Sequence, residues 1–64
     1  MTIRFDVHLE SDNEAFQESA GPELARILRA LADSIAAGNE GVFRLHDVNG
    51  NAVGGAWLEF WPEE

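Results

Sequence analysis

The fold is decided by residues 22–37, which read PELARILRALADSIAA. Leucine and isoleucine recur there at i, i+3, i+4, i+7 and i+11, the spacing of one helical face (Leu24, Ile27, Leu28, Leu31 and Ile35). Pro22 suits the first helical position, Glu23 suits the positive end of the helix dipole, and Gly38 is a typical C-terminal stop. We therefore predict a helix over residues 22–37, against which the other segments pack.

The segments on either side of this helix have the pattern of β-strands. Residues 2–10 alternate apolar and polar side chains, which predicts a half-buried strand. Residues 41–61 predict a hairpin, because Asn49-Gly50 is a strong signal for a type I′ turn. The two glycines in its second arm, Gly54-Gly55, predict a bulge or a close approach of two backbones.

Residues 11–21, between the first strand and the helix, have the least regular pattern. Ser11 and Glu14 have the spacing of a capping box, so one turn of helix around residues 12–17 is an alternative to an ordered loop. We favour an acidic loop over residues 11–21, because the Ala-Gly-Pro sequence that follows interrupts a continuous helix.

These elements predict a single α+β domain over residues 1–64, with the order β-α-β-β. The hairpin makes the second and third strands antiparallel, and the helix returns the chain so that the first and second strands run the same way. With the third strand in the middle, every pairing is antiparallel, which gives a three-stranded sheet of order 1-3-2 with the helix on one face. A right-handed crossover with order 1-2-3 is the alternative.

Charge restricts the class of partner. Twelve Asp and Glu residues stand against four Arg and no Lys, for a net charge of −8. This charge repels phosphate, so we expect no direct contact with nucleic acid or an anionic membrane, and we expect a basic protein surface as the partner. The charged residues of the helix cancel (Glu23, Arg26, Arg29 and Asp33). The alternative is that the acidity only maintains solubility.

The unbalanced carboxylates concentrate before the helix. Residues 5–22 contain five acidic residues and neither Lys nor Arg: Asp6, Glu10, Asp12, Glu14 and Glu18. Alternate residues of a strand stand about 6.6–6.8 Å apart, so we expect an extended row of negative charge along the first strand and the loop. DNA carries one charge per ~3.4 Å of each strand, so such a row can imitate part of a phosphate backbone.

The third strand predicts an aromatic part of the same binding surface. If Ala56, Leu58 and Phe60 pack under the helix, the residues between them face outward on the uncovered side of the sheet (Trp57, Glu59 and Trp61). Tryptophan is a preferred anchor of protein interfaces. The alternative is a reversed register after the two glycines, which places one Trp at the edge of the core.

No catalytic motif accompanies these features. The serines lack a Ser-His-Asp order and a Gly-x-Ser-x-Gly elbow, and His8 and His46 are more typical of a solvated strand face than of a metal site. The chain has no cysteine, which excludes disulfides and zinc-thiolate sites. We predict a protein that is not an enzyme and that binds no metal or cofactor. Without a signal peptide or a membrane span, we expect it to be soluble and cytoplasmic.

The combined pattern resembles small phage and prophage proteins. The resemblance covers residues 3–54 and depends on SDNEAF at 11–16, LARILRALAD at 24–33 and DVNGNAVG at 47–54. Among such acidic proteins, the chain is most similar to anti-CRISPR inhibitors of type I systems, in particular type I-C. This resemblance implies that the chain acts in the bacterial cytoplasm and binds the large, PAM-reading subunit of the Cascade complex, so that target DNA cannot engage.

These expectations identify one candidate surface and two functions. The candidate partner-binding residues are Asp6, Glu10, Asp12, Glu14, Glu18, Trp57, Glu59 and Trp61. The first function is a monomeric or weakly dimeric DNA mimic that inhibits Cascade. The alternative is a phage accessory or structural protein that self-associates through the Trp57 and Trp61 face.

Overall fold

The computed structural model describes residues 1–12, 14–17 and 19–62. The secondary-structure elements are β1 (Thr2–Leu9), α1 (Glu14–Gln17), α2 (Ala20–Ala36), β2 (Gly41–His46) and β3 (Ala52–Trp61). The three strands form one antiparallel sheet in the order β1-β3-β2. The predicted α+β fold and strand order are therefore confirmed, and the order 1-2-3 is excluded.

Helix α2 begins two residues before the predicted start. The backbone N–H of Glu23 donates to the carbonyl oxygen of Ser19 at 2.9 Å. Pro22 therefore lies within the first turn, where backbone N–H groups have no acceptor inside the helix, and its missing N–H leaves no hydrogen bond unmade. At the other end, Gly38 has φ 99° and its N–H donates to Ile35 at 3.0 Å, which confirms the predicted left-handed stop.

The preference for a loop over residues 11–21 is wrong, because α1 occupies Glu14–Gln17. The predicted helix break, Ala-Gly-Pro, lies inside the first turn of α2. The break falls instead at Ser19, whose φ of −142° departs from helical geometry. The short turn also places Phe16 against the core.

The predicted type I′ turn is also wrong. Among the described residues only glycines have positive φ, so Asn49 does not adopt the left-handed conformation that this turn requires, whereas Gly50 has φ 85°. The N–H of Gly50 donates to the carbonyl oxygen of Asp47 at 3.0 Å, and the N–H of Asp47 donates to Asn51 at 2.9 Å. The loop thus has three residues and ends in a left-handed glycine.

The buried carboxylate of Asp47 stabilises this longer loop. Its Oδ1 accepts the backbone N–H groups of Asn49 at 2.9 Å and Asn51 at 2.8 Å. Its Oδ2 accepts the side-chain amide of Asn51 at 3.1 Å. An aspartate side chain that accepts backbone N–H groups two and four residues later stabilises a turn of its own. Here it favours the three-residue loop over the two-residue type I′ turn.

Both features predicted for the glycine pair in β3 are present. The pairing of β2 with β3 skips Val53, which is the extra residue of a bulge. A Cβ atom on Gly54 would overlap the carbonyl oxygen of His8 in β1. Only glycine therefore allows β1 and β3 to approach each other at this point.

Helix α2 covers only part of one sheet face, which we call the inner face. The contiguous core cluster consists of two helical and three strand residues: Ile27, Leu31, Leu45, Val53 and Ala56. Leu58, farther along β3, is also buried. Farther along the inner face, Ile3 is 60% exposed, Phe5 45% and Phe60 39%. The predicted inward orientation of Ile3, Phe5 and Val7 thus leads to little burial, because the helix does not reach them, whereas Leu9 packs against the core.

The overall shape follows from this incomplete cover. The radius of gyration is 13.4 Å, whereas a compact chain of this length has one of about 11 Å. The longest dimension is 48 Å against 19 and 17 Å for the other two. The sheet therefore extends beyond the helix and presents side chains on both of its faces.

Candidate partner-binding surface

The sheet face opposite α2, which we call the outer face, carries both tryptophans. Ala56 and Leu58 are buried, whereas Trp57 is 42% exposed and Trp61 is 43% exposed. The predicted outward orientation of the tryptophans is confirmed, and the reversed register is excluded. The predicted packing of Phe60 under the helix is wrong, because Phe60 lies on the inner face and is exposed.

Alternate residues of β1 lie on the outer face beside the tryptophans. The register places Asp6 opposite Trp57 and Arg4 opposite Glu59. Arg4 Nε also lies 3.3 Å from Asp6 Oδ2. Arg4 therefore offsets one of two carboxylates. Arg44, opposite Gly55 on the same face of β2, offsets the second, so the outer face around the tryptophans is close to neutral.

The predicted row of carboxylates along β1 is interrupted by cationic and titratable groups. His8 lies between Asp6 and Glu10, and its Nε2 is 3.9 Å from Glu10 Oε2. This contact is an ion pair only when the histidine is protonated. Because Arg4 already pairs with Asp6, an unbalanced negative surface begins at Glu10 and continues to Asp12, both of which are exposed.

The structure brings together some of the eight predicted binding residues and separates others. Four share the outer face: Asp6, Trp57, Glu59 and Trp61. Glu10 and Asp12 follow the end of β1 and form a second group. Glu18 lies outside the described residues, as does the side chain of Glu14, so the predicted contribution of these two carboxylates stays a prediction.

Sequence reasoning missed the role of Glu23. This carboxylate is buried, and its Oε1 accepts a hydrogen bond from Arg26 Nε at 2.6 Å. Its Oε2 accepts the backbone N–H of Val48 at 2.7 Å, and Arg26 also donates to the carbonyl oxygen of His46 at 3.2 Å. The i,i+3 spacing of Glu23 and Arg26 is a signal for their pairing, but the bond to the β2–β3 loop depends on tertiary structure.

The environment of Glu23 fixes its charge. The hydrogen bond from Arg26 holds the pKa of Glu23 below its ordinary value of 4.5, and the N–H of Val48 adds to this effect. Burial and the neighbouring Asp47 raise the pKa, but they do not outweigh the two donors. The group is therefore ionised at neutral pH, and it links the first turns of α2 to the hairpin loop.

A cleft of about 280 Å³ lies between α2 and β2. Apolar residues of the core line it together with Arg26, Arg44 and His46. Among the described residues, no group of three or more His, Asp or Glu side chains is placed to hold a metal ion. Within the same part of the chain, no helix combines the length and the apolar character that crossing a membrane requires.

The chain was compared with protein-family models, with characterised proteins and with solved structures, and no match was found. A proposal for its function therefore depends on the charge, exposure and geometry of its own surfaces.

Proposed function

We propose that this protein is an inhibitor that binds a basic, nucleic-acid-binding surface of another protein and keeps nucleic acid away from it. The observation that carries the proposal is the exposed acidic segment that follows β1. Glu10 and Asp12 are exposed there, and residues 5–25 contain neither Lys nor Arg. Carboxylates in a segment without Arg or Lys attract the Arg and Lys side chains of a partner that normally contact phosphates.

The outer face supports the proposal by supplying apolar area next to the acidic segment. Trp57 lies opposite Asp6, and Glu10, one residue past the end of β1, follows Asp6 by four residues, about 13 Å along the extended chain. Protein interfaces typically combine aromatic anchors at the centre with charged residues at the rim. We assign the steering of the partner to Glu10 and Asp12, and its anchoring to Trp57 and Trp61.

The resemblance to anti-CRISPR proteins gives the proposal a specific target. In this form the chain is encoded by a phage or prophage and acts in the cytoplasm of a bacterial host. It binds the large subunit of type I-C Cascade, where Arg and Lys contact duplex DNA around the PAM, and it prevents target DNA from binding. Such inhibition requires neither a catalytic residue nor a cofactor.

The proposal is tested by the binding of target DNA to purified type I-C Cascade in the presence of this protein. We expect the wild-type protein to prevent binding and the E10K/D12K variant to lose most of this effect. The matched control is D33K/E40K, which reverses two exposed carboxylates on α2 and in the following turn and gives the same net charge, −4 instead of −8. If both variants lose inhibition equally, net charge alone explains the inhibition, and the position of the carboxylates has no role. If the wild-type protein does not inhibit DNA binding, Cascade is not the target.

The exposed tryptophans also favour a second candidate function, a phage accessory or structural protein that self-associates. Val42 lies opposite Trp57 on β2 and is 65% exposed, so the outer face has an apolar patch of its own. In this case the protein dimerises at micromolar concentration and Trp61→Ala abolishes the dimer. Analytical ultracentrifugation of the two proteins distinguishes this function from the first, which does not require self-association.

A further inference from the structure

Strand β1 lies at an edge of the sheet, and its outward backbone groups can be identified. The N–H of Glu10 donates to Val53 in β3. Bonded and non-bonded pairs alternate along an antiparallel ladder, so the even-numbered residues of β1 exchange hydrogen bonds with β3. The N–H and C=O groups of Ile3, Phe5 and Val7 therefore point away from β3, where the described part of the chain supplies no further strand.

The same three residues carry exposed apolar side chains. Ile3, Phe5 and Val7 face the inner side of the sheet, beyond the reach of α2, and all three are exposed. An edge strand that combines free backbone groups with apolar side chains is a template for pairing with another strand. Native edge strands usually carry Pro, Lys or a bulge that prevents such pairing, and β1 has none of these.

The charge pattern of β1 selects a second copy of the same strand as the partner. Residues 2–8 read TIRFDVH, a segment in which Arg4 and Asp6 stand symmetrically about Phe5. In an antiparallel pair centred on Phe5, each Arg4 lies opposite Asp6 of the other copy, and Ile3 lies opposite Val7. Opposite charges in directly opposed positions stabilise a sheet, and like charges destabilise it.

The neighbouring registers are unfavourable. Because odd-numbered residues must pair with odd-numbered residues to form hydrogen bonds, the centre of the pairing moves one residue at a time between Arg4, Phe5 and Asp6. Centring the pair on Arg4 opposes two guanidinium groups, and centring it on Asp6 opposes two carboxylates. Only the register centred on Phe5 places opposite charges together twice.

We propose that two copies of this protein pair through their β1 edges in the register centred on Phe5, which forms one continuous six-stranded antiparallel sheet. The two-fold axis lies perpendicular to the sheet, so both α2 helices stand on the same face. Each Arg4 then lies between Glu59 of its own β3 and Asp6 of the second copy. The apolar side chains of the two β1 strands become one strip between the helices.

This pairing does not depend on the proposed function. The paired segment ends at residue 8, so Glu10 and Asp12 stay accessible in the dimer. The net charge of −8 on each copy opposes association. The two Arg4–Asp6 pairs between the copies offset part of this repulsion. The interface also differs from the Trp57 and Trp61 face, which lies on β3.

The test is sedimentation equilibrium on the purified protein at concentrations up to about 1 mM. We expect a concentration-dependent dimer in the wild type and at least a roughly tenfold weaker dimer in both R4D and D6R, because each variant opposes like charges twice. The R4D/D6R double variant restores the complementary pattern and the dimer. An equimolar mixture of R4D and D6R forms heterodimers for the same reason.

Circular dichroism first establishes that each variant is folded, and hydrogen exchange gives an independent measurement on the wild type. In the dimer, the amides of Ile3, Phe5 and Val7 become protected as the concentration rises. A protein that is monomeric throughout this range would overturn the proposal. So would a dimer that R4D leaves intact and Trp61→Ala abolishes, since that result assigns the interface to the outer face.

Discussion

The two ends of the sheet have the same alternating sequence pattern and opposite environments. At one end, α2 packs on β2 and buries Leu45, Val53 and Ala56. At the other end, Ile3, Phe5 and Phe60 lie on the same face and are exposed. Side-chain alternation therefore determines which face a residue occupies, whereas the position of the helix determines whether that face is buried. Stability is concentrated at the covered end, and the uncovered end is available for binding.

The largest expected effect comes from Gly54, which lies at the covered end of the sheet between Val53 and Ala56. A Cβ at this position would overlap the backbone of β1, which cannot move without breaking the β1–β3 ladder. We expect Gly54→Ala to cost more than about 3 kcal/mol and to leave much of the protein unfolded. In thermal unfolding, Gly21→Ala is the control, because a Cβ there meets no atom within 4 Å.

Two leucines of α2 allow a covered position and an uncovered position to be compared within one helix. Leu31 is 5% exposed and Leu28 is 43% exposed. We expect Leu31→Ala to lower the free energy of unfolding by about 2–4 kcal/mol and Leu28→Ala by less than about 1 kcal/mol. Urea denaturation of both variants measures the difference, and equal losses would contradict the partial cover described above.

The pH dependence of stability tests the link between α2 and the hairpin loop. Because the pKa of Glu23 is lower in the folded protein than its ordinary value of 4.5, its contribution to stability is complete above that value. The contribution is lost as the pH falls through the folded pKa. Between pH 7 and 3, we expect the stability advantage of the wild type over Glu23→Gln to shrink, as measured by thermal unfolding. A stability difference between the two proteins that does not change with pH would show that the charge of Glu23 does not contribute to stability.

The smallest expected effect on stability is at the far end of β3. Trp61 is 43% exposed, and its replacement by Ala is expected to change the free energy of unfolding by about 1 kcal/mol or less. If Trp61 anchors a partner, the same substitution weakens binding by roughly tenfold or more. Unfolding and Cascade binding measured on one preparation separate the two effects. A large loss of stability without loss of binding would make Trp61 a core residue.

Much of the fold is predictable from the sequence because a few local signals restrict it strongly. The leucine and isoleucine spacing predicts α2, and alternation with the hairpin signal predicts three strands. Antiparallel pairing then requires β3 in the centre. The hairpin loop differs from the prediction because the side chain of Asp47 collects donors that the Asn49-Gly50 signal does not include.

The candidate surface is predictable only in part. Alternation in β3 predicts that Trp57 and Trp61 share one face, but the register of the sheet is needed to exclude the alternative that one of them lies at the core edge. The neutralisation of Asp6 by Arg4, and the position of Arg4 opposite Glu59, depend on side-chain geometry and on the register between β1 and β3. Likewise, the burial of Glu23 depends on where the hairpin loop meets α2. Charge counting along the sequence therefore overestimates the acidity of β1 and locates the unbalanced charge correctly only beyond its end.

The central claim is that the acidic segment after β1 attracts a basic partner surface. The most direct test is the affinity of the protein for type I-C Cascade over a series of salt concentrations, measured for the wild type and for E10K/D12K. We predict that wild-type affinity falls steeply as salt increases, because the attraction between charges is screened, and that the variant binds weakly with a shallow dependence. An affinity that does not depend on salt and is the same for both proteins would contradict the claim.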